Sequence, residues 1–207
     1  MFILTIMKLN LGGVFFMFIL YAVALGILIG YILGGRLKHL SQAAFKKLYL
    51  AVGGFLIQVL IFSDIPFFKT LQQHHENIIV VLHIISYILI LIFIAVNYKV
   101  PGIAIIGIGI LLNATVIILN RGHMPASIES FSFSSVGKHA DLLSQGKSVN
   151  NSKAITGDTI LPWLGDIFAL PSYIPFSNVF SIGDIIIAVG VCIYFAFNMR
   201  QAKTITS

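Results

Sequence analysis

Nine side chains of this chain are candidates to act at one place: Gln58, His83, Tyr87, Asn113, Asn120, Arg121, His123, Asp166 and Asp184. A histidine beside a carboxylate can move protons, and a carboxylate can hold a cation. Amide and phenol groups orient a ligand through hydrogen bonds. Gln58, His83, Tyr87 and Asn113 sit inside long apolar runs, where each polar group asks for a partner or a cavity. Counting about 1.5 Å of helical rise per residue, Gln58 lies about 6–8 Å below the end of its run, His83 about 9 Å and Asn113 about 10 Å. Ser86 and Tyr87 fall on the His83 face by their i+3 and i+4 spacing. Three helices thus place polar groups at one depth. Such a layer is either interhelical glue, worth about 0.6 kcal/mol per bond, or the wall of a cavity open at one end.

At the mouth of that layer stands Asn120-Arg-Gly-His-Met-Pro125. Gly122 permits a turn, and Pro125 blocks a helix and biases Met124 to an extended form. Arg121 and His123 are therefore expected at the cavity mouth, or simply as interfacial residues of a helix cap. Gly-Asp recurs at Gly157-Asp158, Gly165-Asp166 and Gly183-Asp184. Ser181-Ile-Gly-Asp184 fits a capping box, so Asp184 has a structural reading as well. Asp166 lies in an apolar stretch where a carboxylate must be shielded, with Arg121, His123 or a backbone N–H as the expected partner. A haem on His83 would ordinarily want a second axial ligand, and no other histidine falls within an apolar run. No metal site is expected, and no nucleophile elbow, zinc-protease helix or phosphate loop is present.

The elements that must hold these residues follow from composition. Of 207 residues 58% are hydrophobic and 10% charged, against about 25% charged in a soluble domain. Five apolar segments, Leu11–Gly34, Lys47–Phe62, Asn77–Val96, Gly102–Asn120 and Gly183–Asn198, approach the length of roughly 17–25 residues that crosses hydrocarbon. The seven acids, Asp64, Glu76, Glu129, Asp141, Asp158, Asp166 and Asp184, fall in alternate connections, while Arg36, Lys38, Lys46, Lys47, Lys99, Arg200 and Lys203 occupy the others. The positive-inside rule then places the amino terminus outside and the carboxyl terminus in the cytoplasm. It also explains the net charge of +6 with no nucleic acid as partner. Basic residues follow the first apolar run, which favours a signal anchor over a cleaved signal peptide. The lone Cys192 permits no internal disulfide.

The expected fold is an all-α integral membrane protein, a bundle of about five transmembrane helices forming a single membrane domain over 1–207. A long extracytoplasmic, lid-like loop, 121–182, precedes the last helix. Its Ser-, Gly- and Asn-rich part, 130–157, reads as flexible. Its Pro- and Trp-containing part, 160–176, reads as apolar and interfacial. Gly26, Gly30 and Gly34, with Ala22, recur every fourth residue and form a groove for helix packing or a homodimer seam. The reading that follows is a binding or accessory membrane protein, with an outward-facing polar cavity for a lipid, a quinone or an envelope intermediate, or for another membrane subunit. The alternative is a membrane enzyme or proton-coupled transporter using His83, His123, Asp166 or Asp184. The transporter reading wants an internal repeat, and five spans do not halve.

The carboxyl half, through Asn120-Arg-Gly-His-Met-Pro125, Leu161-Pro-Trp-Leu-Gly-Asp166 and Asn178-Val-Phe-Ser-Ile-Gly-Asp184, resembles DUF5317, a family of small bacterial membrane proteins of unknown function. The family usually carries Gly-Gly within the first of these motifs, from which Arg121 and His123 depart. The resemblance implies a bacterial cytoplasmic-membrane protein and supplies no activity.

Overall fold

The computed structural model describes residues 13–42, 44–63, 65–175 and 177–200. Asp64 and Lys203, part of the charge argument above, lie outside the described residues, as does the start of the first apolar segment. Eight α-helices carry the described chain. Helix α1 is Gly13–Ile32, α2 is Leu48–Ile61, α3 is Pro66–His74, α4 is Glu76–Asn97, α5 is Ile103–Leu119, α6 is Ile128–Phe133, α7 is Ala140–Ser144 and α8 is Ile182–Asn198. Each expected apolar segment is a helix. Among the described helices α4 alone is long and apolar enough to cross a membrane, and the pair α2–α3, bent by 76°, is a second candidate.

Helices α1 and α5 flank α8, α4 packs on α5, and α2 packs on α4. Small residues set these approaches. A Cβ on Gly26 would meet the Cα of Cys192, and one on Gly30 would meet the Met199 side chain. At Gly26 and Gly30 the groove is therefore occupied from within the chain, by α8 and the Met199 that follows it. Gly34, at φ +79°, has open space where a Cβ would stand and belongs to the turn that follows. Between α5 and α8, a Cβ on Gly183 would overlap Asn113 and one on Gly109 would overlap the Gly183 carbonyl. That close approach brings the Asn113 side chain onto the start of α8.

The helix ends form two faces. At one, Lys46 N–H donates to Asn97 Oδ1, Arg36 N–H donates to the Met199 carbonyl, and His39 Nδ1 lies 2.8 Å from that same oxygen. At the other lies the segment between α5 and α8, which departs from two expectations. It is not free of strands: β1 (Met124–Ala126) pairs in parallel with β2 (Ser152–Ala154), and β3 (Phe168–Ala169) pairs antiparallel with β4 (Val179–Phe180). Nor does 130–157 lack structure. Phe131, Ala140, Leu143 and Val149 are buried together with Ala126 and Val179. Its serines, read as loop formers, act as local caps: the Ser127 side chain accepts from Ser130 N–H, and Ser134 Oγ donates to the Phe131 carbonyl. Serine at helix ends satisfies backbone groups that would otherwise be orphaned.

In the apolar part Leu164 is buried against Val116, Ile117 and Met124. The Asn120 amide fastens Ile160 by both its N–H and its carbonyl, and the Tyr21 hydroxyl donates to the Pro175 carbonyl. Trp163 and Tyr173 point outward, 56% and 83% exposed. The segment is thus seated on the helix ends and presents aromatic rings away from them.

Candidate functional site

One cavity of about 100 Å³ lies where α2, α4, α5 and α8 meet the segment above them. Gln58, His83, Tyr87, Asn113, Asp166 and Asp184 all line it, with Asn150 and Asn151 from the turn before β2. The rest of its wall is apolar, including Phe55, Phe62, Ile110, Ile117 and Ile187. A single water needs about 10–15 Å³ of such space, so the cavity admits a small group but not a large planar cofactor.

Asp184 is held by three donors. Asn113 Nδ2 reaches its Oδ1 at 2.8 Å, and the backbone N–H and hydroxyl of Ser181 reach its Oδ2 at 2.9 and 2.8 Å. Ser181 accepts in return from Asp184 N–H, which completes a capping box at the start of α8. Both the structural and the cavity readings of Asp184 therefore apply: its carboxylate ties α8 to α5 while lining the cavity. Ser181 Oγ also lies 3.0 Å from Asn113 Oδ1, and its one proton serves either acceptor.

Asp166 is different. Its backbone is fixed on β1, with its N–H donating to the Pro125 carbonyl and its carbonyl accepting from Ser127 N–H. Asp166 is 6% exposed and lines the cavity. The expected partners, Arg121 and His123, do not reach it; the bond present is from Ser152 Oγ at 3.5 Å. Burial, and secondarily the nearby Asp184 carboxylate, push the Asp166 carboxyl well above the usual carboxylate range. A weakly partnered buried carboxyl keeps its proton because the charged form is costly to desolvate.

His83 is buried, with Nδ1 3.3 Å from the Gly122 carbonyl. A carbonyl only accepts, so Nδ1 carries the proton and Nε2 of the neutral ring is an acceptor. Phe62 meets the ring edge-on at 4.8 Å, and Tyr87 lies at 5.1 Å. The same face of α4 carries Ser86, which accepts from Gln58 Nε2 at 3.0 Å and donates to the His83 carbonyl. Gln58 is thus oriented by a neighbour that sequence reasoning had only placed on the face.

Asn120, Arg121 and His123 do not join this cavity. They line a separate, wider hollow with Lys153, Thr156 and Asp158. His123 Nε2 lies 3.5 Å from the Glu76 carboxylate. Burial pulls the His123 pKa down, while Glu76 opposes the shift. Arg121 is exposed and adopts φ 56°, followed by Gly122 at φ 87°. Gly122 N–H donates to the Ile117 carbonyl and Arg121 N–H to the Ile118 carbonyl. This is the two-bond Schellman termination of a helix, in which the left-handed position usually holds glycine. Arg121 therefore occupies a backbone position that suits glycine. Asn150, Asn151 and Ser152 are missing from the sequence-derived site. Only the left-handed φ of 52° at Asn150 hints at a turn residue, and nothing local signals that β2 would return them to the cavity.

Comparison with known proteins adds little chemistry. No solved structure matches the chain. A Thermotoga maritima relative described as an uncharacterized protein is 26% identical over 171 residues, covering 82% of this chain and 85% of its own length. The model of the family of unknown function DUF5317 matches residues 42–196, which take in all nine candidate residues. The chain belongs to the DUF5317 family.

Proposed function

We propose that the chain is a five-span protein of the bacterial cytoplasmic membrane and binds a small amphiphile in a cavity open to the outer face. The observation that carries this reading is the cavity itself: eight polar residues from four helices and the covering segment, Asn150 and Asn151 among them, converge on one space whose remaining wall is apolar. Glue-type polar residues would pair with each other and close the space. Here the wall combines polar groups with hydrocarbon, as an amphiphile does.

The membrane reading rests on charge and length. The connections at one face, 33–47, 98–102 and 199–200, hold Arg36, Lys38, Lys46, Lys47, Lys99 and Arg200 and no acid, as the positive-inside rule requires of a cytoplasmic face. Helices α5 and α8, with 17 residues each, extend about 26 Å and fit the lower end of the spanning range. Helix α2, with 14 residues, is short for a span and completes its crossing together with the bent helix α3.

The enzyme or proton-transporter reading receives no comparable support. His83 is turned to a backbone carbonyl and His123 to an exposed glutamate, so neither histidine is aligned with Asp166 or Asp184. The test is mass spectrometry of organic extracts of the purified protein, wild type beside Val59→Trp, which fills the cavity from its apolar wall. The proposal predicts a small amphiphile in the wild type and its loss in the variant. Identical extracts from both would refute it.

A further inference from the structure

The hydrogen-bonding capacity left unused on the cavity wall defines a ligand class. Asp184 already accepts from three donors, one from Asn113 and two from Ser181, and one of the two Gln58 amide N–H groups goes to Ser86. Besides the amides of Gln58, Asn150 and Asn151, which both donate and accept, three groups have capacity to spare. Asp166 has one long bond. The Tyr87 hydroxyl and His83 Nε2 have no protein partner among the described residues. His83 is 2% exposed, and no fully enclosed polar side-chain atom lacks a partner. His83 Nε2 therefore faces the cavity, where it can only accept. No lysine or arginine lines the space; Arg121 and Lys153 belong to the other hollow. A phosphate, sulfate or carboxylate would meet two carboxyl groups and no cation. Aromatic rings of Phe55, Phe62, Tyr87 and Phe180 also line the space, and ring faces attract ammonium groups.

We propose that the group bound here is a primary ammonium on a short apolar stem, its N–H donors directed to His83 and to Asp166, which releases its carboxyl proton to solvent as the ammonium binds, and its stem against Ile110 and Ile187. This rests on the ligand-binding reading above and adds the chemistry of the head group. A free alkylamine and the amine end of a lipid share that chemistry. The cavity's small volume matches a head group rather than a whole lipid.

The experiment uses the full chain in an uncharged detergent at pH 7, with thermal shift as readout and n-hexylamine, n-hexanol and hexanoate as probes. Hexylamine is expected to bind about tenfold more tightly than hexanol, the factor that one hydrogen bond to a charged group supplies, and hexanoate to give no shift. Asp166→Asn keeps the shape and should reduce the amine preference to under about twofold while retaining hexanol binding. Should that variant fail to fold, Tyr87→Phe removes one cavity hydroxyl from the helix surface and should weaken hexylamine binding several-fold. In nanodiscs, a hexylamine shift present with phosphatidylglycerol and abolished by phosphatidylethanolamine identifies the lipid amine as occupant, and its persistence identifies a free amine. Equal binding of hexanol and hexylamine overturns the ammonium assignment and leaves the amphiphile site standing. Absence of any shift with all three probes overturns both.

Discussion

Replacing Asn113 by alanine separates a working polar cluster from interchangeable glue. Asn113 is 5% exposed and supplies the 2.8 Å bond to Asp184 Oδ1. Its loss does not strand Ser181, whose hydroxyl keeps Asp184 Oδ2 as acceptor at 2.8 Å. The cost therefore concentrates on one carboxylate oxygen that loses its donor. Hydrogen bonds to charged groups contribute about 1.5–3 kcal/mol, whereas an average interhelical bond in a membrane bundle contributes about 0.6 kcal/mol. The nearby cavity admits water to the vacated oxygen, which favours the lower end, about 1.5–2 kcal/mol. For a chain of this size that is a fall in melting temperature of roughly 4–7 °C, read by thermal unfolding of the purified protein in detergent. Asn113→Asp should be worse, since it sets a further carboxyl against Asp184 at the same place. A fall of under about 2 °C for Asn113→Ala would refute the reasoning.

Raising the pH from about 4 toward 7 should cost the wild type stability, because folded Asp166 holds a proton that an unfolded aspartate has lost above about 4. The sign follows from a folded-state pKa above the unfolded one, and Asp166→Asn should flatten that slope in melting curves taken across the range. Arg121→Gly should raise stability by up to about 1 kcal/mol, because the left-handed backbone costs a non-glycine residue about 1–2 kcal/mol and the added unfolded-chain freedom offsets part of the gain. Arg121→Ala, measured in the same melts, should give no such gain. Gly183→Ala should destabilise by about 1–3 kcal/mol or more, since its methyl would overlap Asn113 and press on the Gly109 carbonyl. Limited proteolysis should cut the exposed Gln145–Ser148 turn well before the stretch around the buried Leu164 and Asp166.

Much of the site was legible because polar groups in apolar helices are conspicuous. Gln58, His83 and Asn113 stood out by depth, and Tyr87 by its helical spacing from His83. Asp166 stood out as a carboxylate in an apolar stretch. Their convergence on one cavity follows from helices whose neighbours were fixed by small residues. The partners were not legible. Ser152 and Ser181 reach Asp166 and Asp184 through strand pairing and a cap, and composition does not distinguish these serines from those of a loop. Arg121 and His123 looked like gatekeepers because they adjoin the α5 end in sequence. The left-handed turn at Arg121-Gly122 instead directs them to another hollow. The apparent looseness of 130–157 was a matter of composition, and its core depends on Phe131 and Leu143 meeting Val149 and Val179 across long stretches of chain.

The central claim is a cavity reached from the outer face of the membrane. It is tested most directly in intact cells, with Cys192 replaced by alanine and single cysteines at Asn151, on the cavity wall, or at Lys99, in the acid-free turn between α4 and α5. A membrane-impermeant thiol reagent should label Asn151→Cys in intact cells and Lys99→Cys only after permeabilisation. Labelling of Lys99→Cys in intact cells, with Asn151→Cys protected until permeabilisation, would contradict the account.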